Sequence, residues 1–243
     1  MSENQREGQP GALSTPDCGD KDDGDRFYLW LKVKNWSQKP LGSCNPIMRL
    51  YGKPECAVMS GGADDDLLLV PTARVKGIEC RDVWNTPDLH YWNTAWEYVE
   101  LKMSAAGTGL GINSAADRTE DQLHIHMVAF NPYARDHLEK NVSKLATKPD
   151  DWANKVLLVP GHDPKGSQDR SYRGLYIKES IPEKDNLFYL LAKHVPGAAN
   201  RMAGQTLIVI PGSQNPGFYV LNSEPTLSPG PGTGTCDYIL RCK

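Results

Sequence analysis

The sequence predicts an α+β fold, on three observations. Short apolar runs closed by proline recur along the chain. Two segments carry a helix cap residue followed directly by proline. Strands and helices do not alternate in the rhythm of parallel βαβ units. The runs are Leu67-Leu68-Leu69-Val70 before Pro71, Val156-Leu157-Leu158-Val159 before Pro160, and Thr206 to Ile210 before Pro211. Apolar stretches this short between turn signals read as buried strands. Phe218 to Leu221 pairs with the last of them through a Gly212 to Gly217 turn, and Tyr238-Ile239-Leu240 is a candidate closing strand.

The first helix is expected to start at Thr86, with Pro87 in its first turn. Leu89, Trp92, Trp96, Val99 and Met103 then follow at spacings of three and four, which puts them on one apolar face. The two tryptophans are core residues on this spacing rather than a shelf for a base. A second helix should follow Asn131-Pro132 and run through Tyr133, Leu138 and Val142. Phe27 to Leu31 is the first ordered segment, as helix or strand. Residues 1–25, polar and rich in Gly, Asp and Glu, read as a disordered tail, which leaves 26–243 as a single domain.

Composition excludes several function classes. At 243 residues the chain can bury a sizeable core. Its net charge of -3 and pI near 6.1 give no basic footprint for nucleic acid. Mean hydropathy is -0.52, and no segment approaches the roughly 20 apolar residues of a spanning helix. The N-terminal stretch has no apolar export signal. A cytoplasmic location and free thiols are therefore expected of the six cysteines, which match no zinc spacing. Cys44 and Cys56 flank a turn-rich stretch and could bridge in an oxidising compartment.

The chemistry concentrates between Ile112 and Met127. Ile112-Asn113-Ser114 leads into a polar loop through Asp117, Arg118 and Thr119, then into Gln122-Leu123-His124-Ile125-His126-Met127. Polar and apolar residues alternate in these last six, as on a half-buried strand. Alternate side chains share a face, at about 6.6 Å per two-residue step. Gln122, His124 and His126 should thus project together, with Leu123, Ile125 and Met127 in the core. Three polar groups in a row can grip the oxygens around one phosphorus atom.

An HxH pair alone has three explanations: structural histidines, a metal site, or a nucleophile. A metal needs a third ligand. His90, His162, Asp163 and His194 are available, none at a telling spacing.

The wider pattern resembles the CDP-diacylglycerol pyrophosphatase branch of the histidine-triad superfamily. Leu69-Val70-Pro71-Thr72-Ala73-Arg74-Val75-Lys76-Gly77-Ile78-Glu79 looks like that family's strand-Pro-Thr-x-Arg-x-x-Gly-x-Glu element. Trp92-x-x-Ala95-Trp96, Ile112-Asn113-Ser114, Arg118-Thr119, His124-Ile125-His126, Pro132, Arg135 and Leu138 follow in the family's order. The segment from Cys44 to Cys56 resembles its paired-cysteine region. Two features depart from the pattern. Gln122 stands where many superfamily members have histidine, and Ala129-Phe130-Asn131-Pro132 stands where family members often read Cys-x-Arg-Pro. The membrane-anchoring N-terminus of bacterial members is also missing from the sequence.

The resemblance implies a histidine-triad-like antiparallel sheet with packed helices and a C-terminal β extension. It implies hydrolysis of the phosphoanhydride of a CDP-linked, CDP-diacylglycerol-like or related nucleotide substrate, lipid or soluble. His124 would attack phosphorus and form a phosphohistidine intermediate, its other ring nitrogen tied to a backbone carbonyl. His126 and Gln122 would bind non-bridging oxygens or the leaving group, with Asn113, Ser114 and Thr119 as further donors. Arg74, Lys76 and Arg118 are the candidate charge partners. No metal or other cofactor is implied, and a homodimer is allowed. The competing expectation is a protein that keeps this fold but binds a ligand or runs another reaction in the same pocket.

Overall fold

The computed structural model describes residues 18, 26, 28–37, 48–50, 56–61, 65–161, 168–179 and 186–241. Nine strands form one antiparallel sheet: β1 (Met48–Leu50), β2 (Cys56–Ser60), β3 (Leu67–Pro71), β4 (Thr108–Ile112), β5 (Ile125–Ala129), β6 (Val156–Val159), β7 (Arg170–Ile177), β8 (Thr206–Pro211) and β9 (Phe218–Ser223). Their order across the sheet is β1-β2-β3-β5-β4-β8-β9-β7-β6. Among the described residues five α-helices accompany it: α1 (Tyr28–Ser37), α2 (Arg81–Trp84), α3 (Tyr91–Lys102), α4 (Pro132–Lys140) and α5 (Leu187–His194). The α+β class holds, and all four strands expected from apolar runs form.

At β3, β8 and β9 both faces of the sheet are covered, which is why those strands are continuous apolar runs rather than alternating ones, whereas Leu158 of β6 is exposed. On one face Leu69, Leu110, Ile125, Met127, Leu207, Val209 and Val220 pack against Trp92 and Val99 of α3 and Phe188 and Leu191 of α5. Trp92 meets Phe188 with ring centroids 5.2 Å apart, so this tryptophan is core, as expected. On the other face Val128, Ile208, Ile210 and Leu221 pack under α4 and the segment carrying Cys236, Ile239 and Leu240. A third, smaller cluster seats Leu29 and Val33 of α1 on Met59, Leu68 and Val70.

Several expectations are corrected. The helix expected from Thr86 begins five residues later, at Tyr91. The carbonyls of Thr86 and Pro87 accept instead from Asn186, the N-cap residue of α5. Tyr238 to Leu240 makes only an isolated bridge, Leu240 to Phe130. The β8–β9 hairpin is not a C-terminal extension, because it lies inside the sheet between β4 and β7. α4 forms as expected, with the Asn131 side chain accepting from the Tyr133 amide, but Val142 falls in a following 3-10 turn.

The expectation of free thiols is corrected for two of the cysteines. Cys18 and Cys80 form a disulfide, and Cys18 is buried within the tail expected to be disordered. The Lys76 amide bonds the Cys18 carbonyl, so the chain is fastened to the loop after β3 at this point. Disulfides persist mainly in oxidising compartments. Cys44, with which Cys56 could bridge, lies outside the described residues. Among the described residues no helix is long and apolar enough to cross a membrane.

Candidate active site

The two histidines sit where β5 runs between β3 and β4. Leu68 of β3 and Gly111 of β4 are the cross-strand partners of His126. His124 directly precedes β5, and Asn113 directly follows β4, so both leave the neighbouring ends of paired antiparallel strands. As expected, Leu123, Ile125 and Met127 are buried in the main core while His124 and His126 take the opposite face. Their rings meet edge to face, centroids 5.1 Å apart.

That face is not open. His124 is 7% exposed and His126 8%. On the β3 side α1 covers Leu68 and Val70. On the β4 side the 236–240 strap lies so close that a Cβ on Gly111 would stand 2.4 Å from Leu240 and 2.8 Å from Cys236. Glycine is required there by close approach. The histidines therefore line a seam between α1 and the C-terminal strap.

Each histidine has a fixed Nδ1. That of His124 lies 2.7 Å from the Gln122 carbonyl oxygen. The proton thus belongs on Nδ1, which leaves the lone pair on Nε2. Burial, the neighbouring His126 and the charge of Arg118 lower the His124 pKa to about 3, with the Gln122 bond opposing them. His126 Nδ1 lies 3.2 Å from both carboxylate oxygens of Asp66. Asp66 is buried at the entry to β3 and was missed from sequence, where it ends an ordinary acidic run.

Gln122, expected to bind phosphate, has its side chain engaged within the protein. Its Nε2 donates to the carbonyls of Pro71 (3.0 Å) and Ala73 (2.8 Å), and its Oε1 accepts from the Val75 amide (3.2 Å) and Arg74 Nη1 (3.1 Å). A carboxamide has two donor hydrogens and two acceptor sites, so its capacity is filled. Gln122 precedes the strand and turns into the backbone of residues 71–75 instead of sharing the histidine face. Its work is structural: it pins the chain whose carbonyl holds His124.

Arg118 is likewise engaged within the protein. Its guanidinium is forked onto Glu79 (2.7 and 2.5 Å) and Asp121 (3.0 and 2.8 Å) and is buried. Burial alone would lower its pKa, but the bonds and charges of Glu79 and Asp121 raise it. This planar fork matches two carboxylates closely and binds the 118–121 loop to the loop after β3. Arg74 Nη1 also bonds the Asp121 carbonyl, and the half-buried Lys76 bonds Cys18 through its backbone.

Asn113 and Ser114 lie on the strap side. Asn113 Oδ1 accepts from the Cys236 amide (2.8 Å) and the Thr235 hydroxyl (3.2 Å). With the oxygen held, the carboxamide's remaining polar atoms are the two N–H donors. Ser114 donates to Asp117 (2.6 Å), and its amide bonds the Gly234 carbonyl. Thr119 is exposed at the loop tip, its carbonyl held by Arg26 (3.2 Å).

Of the other residues named for a metal, His90 is the N-cap of α3 and His194 pairs with Asp150. His162 and Asp163 lie outside the described residues. A cavity of about 420 Å³ lined by Leu175, Ile177, Lys178 and Leu190 lies at β7 and α5, and none of the candidate site residues lines it.

Residues 28–237 match the model of a protein family described as CDP-diacylglycerol pyrophosphatase. The match takes in every candidate residue above, and nearly the whole of the described sheet.

Proposed function

Because this chain belongs to the CDP-diacylglycerol pyrophosphatase family, we propose that it hydrolyses the phosphoanhydride of a CDP-linked substrate by attack of His124 Nε2 on phosphorus. The family is one of pyrophosphate-bond hydrolases. The observation that carries the assignment of His124 is its 2.7 Å tie to the Gln122 carbonyl, which turns a neutral nitrogen lone pair away from the backbone.

In the first step the Nε2 lone pair forms an N–P bond while the bridging P–O bond breaks. The electron pair leaves with the departing phosphate monoester. Its second pKa is about 6, so it leaves as a stable anion near neutral pH. In the second step water attacks phosphorus and loses a proton, the N–P pair returns to the ring, and the second phosphate monoester is released. Asn113 N–H groups and His126 would donate to the phosphate oxygens, and fixed donors of this kind stabilise developing charge strongly. Gln122 and Arg118 hold the frame. The histidine-triad-like character of the fold is part of the proposal.

The test is release of CMP from CDP-diacylglycerol by purified protein, with and without chelator. Wild type should turn over equally in both, and His124→Ala should not turn over. Full activity in the alanine variant would end the assignment. The near-closure of the histidine seam favours one alternative, a relative that keeps the fold and uses another substrate. Turnover of a different CDP-alcohol or dinucleotide, with none of CDP-diacylglycerol, would select it.

A further inference from the structure

We infer that Asp66 is a positioning residue for the hydrolase reaction, holding His126 as the buried cationic ligand of the substrate's phosphates. The inference rests on the proposed function for its reaction but on independent geometry for its residue. Both oxygens of Asp66 lie 3.2 Å from His126 Nδ1. A carboxylate only accepts, so Nδ1 must carry a proton. A ring that donates to a phosphate oxygen through Nε2 while Nδ1 donates to Asp66 is doubly protonated. The Asp66 charge then balances that cation inside the seam, in the way an aspartate orients and stabilises an imidazolium in hydrolytic triads.

Local structure explains why this carboxylate is so placed. Asp66 enters β3 one residue before Leu67, which pairs with Met127, so Asp66 lies diagonal to His126 on the same face of the sheet. Its carbonyl accepts from the Gly61 amide at 2.8 Å, closing the β2–β3 hairpin. A Cβ on Gly61 would stand 2.2 Å from Asp66 Oδ2. The glycine is thus the space the carboxylate occupies. Asp66 at β3 and the neutral ring of His124 face His126, and Gly111 is its cross-strand partner on β4.

The division of labour follows from these contacts. His124 is tied to a neutral carbonyl and His126 to a carboxylate. One ring is set to attack and the other to bind anions, so two histidines two residues apart are given different charge by their partners.

The experiment combines two variants and one spectroscopic readout. Asp66→Asn keeps an acceptor and removes the charge. Gly61→Ala keeps the charge and displaces it. Both should lower kcat/KM by about 10- to 100-fold, the size typical when the outer partner of a functional histidine is lost. In ¹⁵N-histidine spectra of wild type saturated with methylene-bridged CDP, both His126 nitrogens should be protonated, and in Asp66→Asn they should not. An unprotonated Nδ1 in wild type, or wild-type kcat/KM in both variants, would overturn the inference. An active His124→Ala with Asp66-dependent protonation intact would remove the nucleophile assignment and leave Asp66 standing.

Discussion

The Nδ1 atom of His124 stands 2.7 Å from the carbonyl oxygen of Gln122, and the Gln122 side chain in turn closes four hydrogen bonds on residues 71–75. The ring proposed to attack phosphorus is therefore aimed by backbone, and the backbone is aimed by a buried carboxamide. The consequences can be measured separately.

His124 should stay neutral across the physiological range. With its pKa lowered to about 3 by burial, its ring signals should not titrate between pH 5 and 8 in a histidine-selective NMR series. A midpoint near 6.5 for that ring would contradict its enclosure.

The same shift has a sign for stability. The unfolded chain takes up a proton at this histidine below about pH 6.5, while the folded chain does not until near pH 3. The stability associated with His124 is thus complete above pH 6.5 and is lost as pH falls, at up to about 1.4 kcal/mol per pH unit. Urea midpoints for wild type and His124→Asn should converge as the solution is acidified.

Gln122→Ala removes the partner of one buried amide and two carbonyls. A cost of roughly 2–4 kcal/mol is expected from groups left unsatisfied, read by urea denaturation. Gln122→Glu should lose activity as well as stability, because a carboxylate cannot donate to the Pro71 and Ala73 carbonyls.

Arg118→Ala strands Glu79 and Asp121, both mostly buried at their side chains. Breaking a buried pair from one side costs roughly 3–5 kcal/mol. Since four of its five N–H donors are engaged on Glu79 and Asp121, the variant should lose thermal stability at saturating substrate analogue as well as without it.

Reduction of Cys18–Cys80, or Cys80→Ser, frees a crosslink spanning 62 residues. The expected loss is about 2–4 kcal/mol, with the loop after β3 gaining hydrogen exchange first. Equal stability with and without reductant would count against the bridge.

Much of this fold is legible in the sequence where both sides of a strand are buried. Leu67 to Val70 and Thr206 to Ile210 are continuous apolar runs for that reason. β4 is not legible: Thr108-Gly109-Leu110-Gly111-Ile112 has glycine where Leu240 and Cys236 lie against the sheet, so tertiary contact erased the strand signal. β7 was hidden by Arg173 and Gly174, the first held by Asn222 and Glu224 across the sheet. The start of α3 was misplaced because the Thr86 and Pro87 carbonyls serve Asn186, 100 residues away in sequence. At the site, the strand parity of His124 and His126 and their separation from the core were legible. The engagement of Gln122 and Arg118 was not, since residue type gives a side chain's bonding capacity and not its partner. Asp66 carried no local motif, because its partner lies 60 residues on.

The most direct test of the nucleophile is rapid quench of wild type with CDP-diacylglycerol, followed by peptide mass spectrometry under alkaline conditions that preserve phosphohistidine. An adduct on the peptide carrying His124, absent from His124→Ala, is the expected result. Turnover that proceeds with no adduct at any time point, and at an equal rate in His124→Ala, would contradict it.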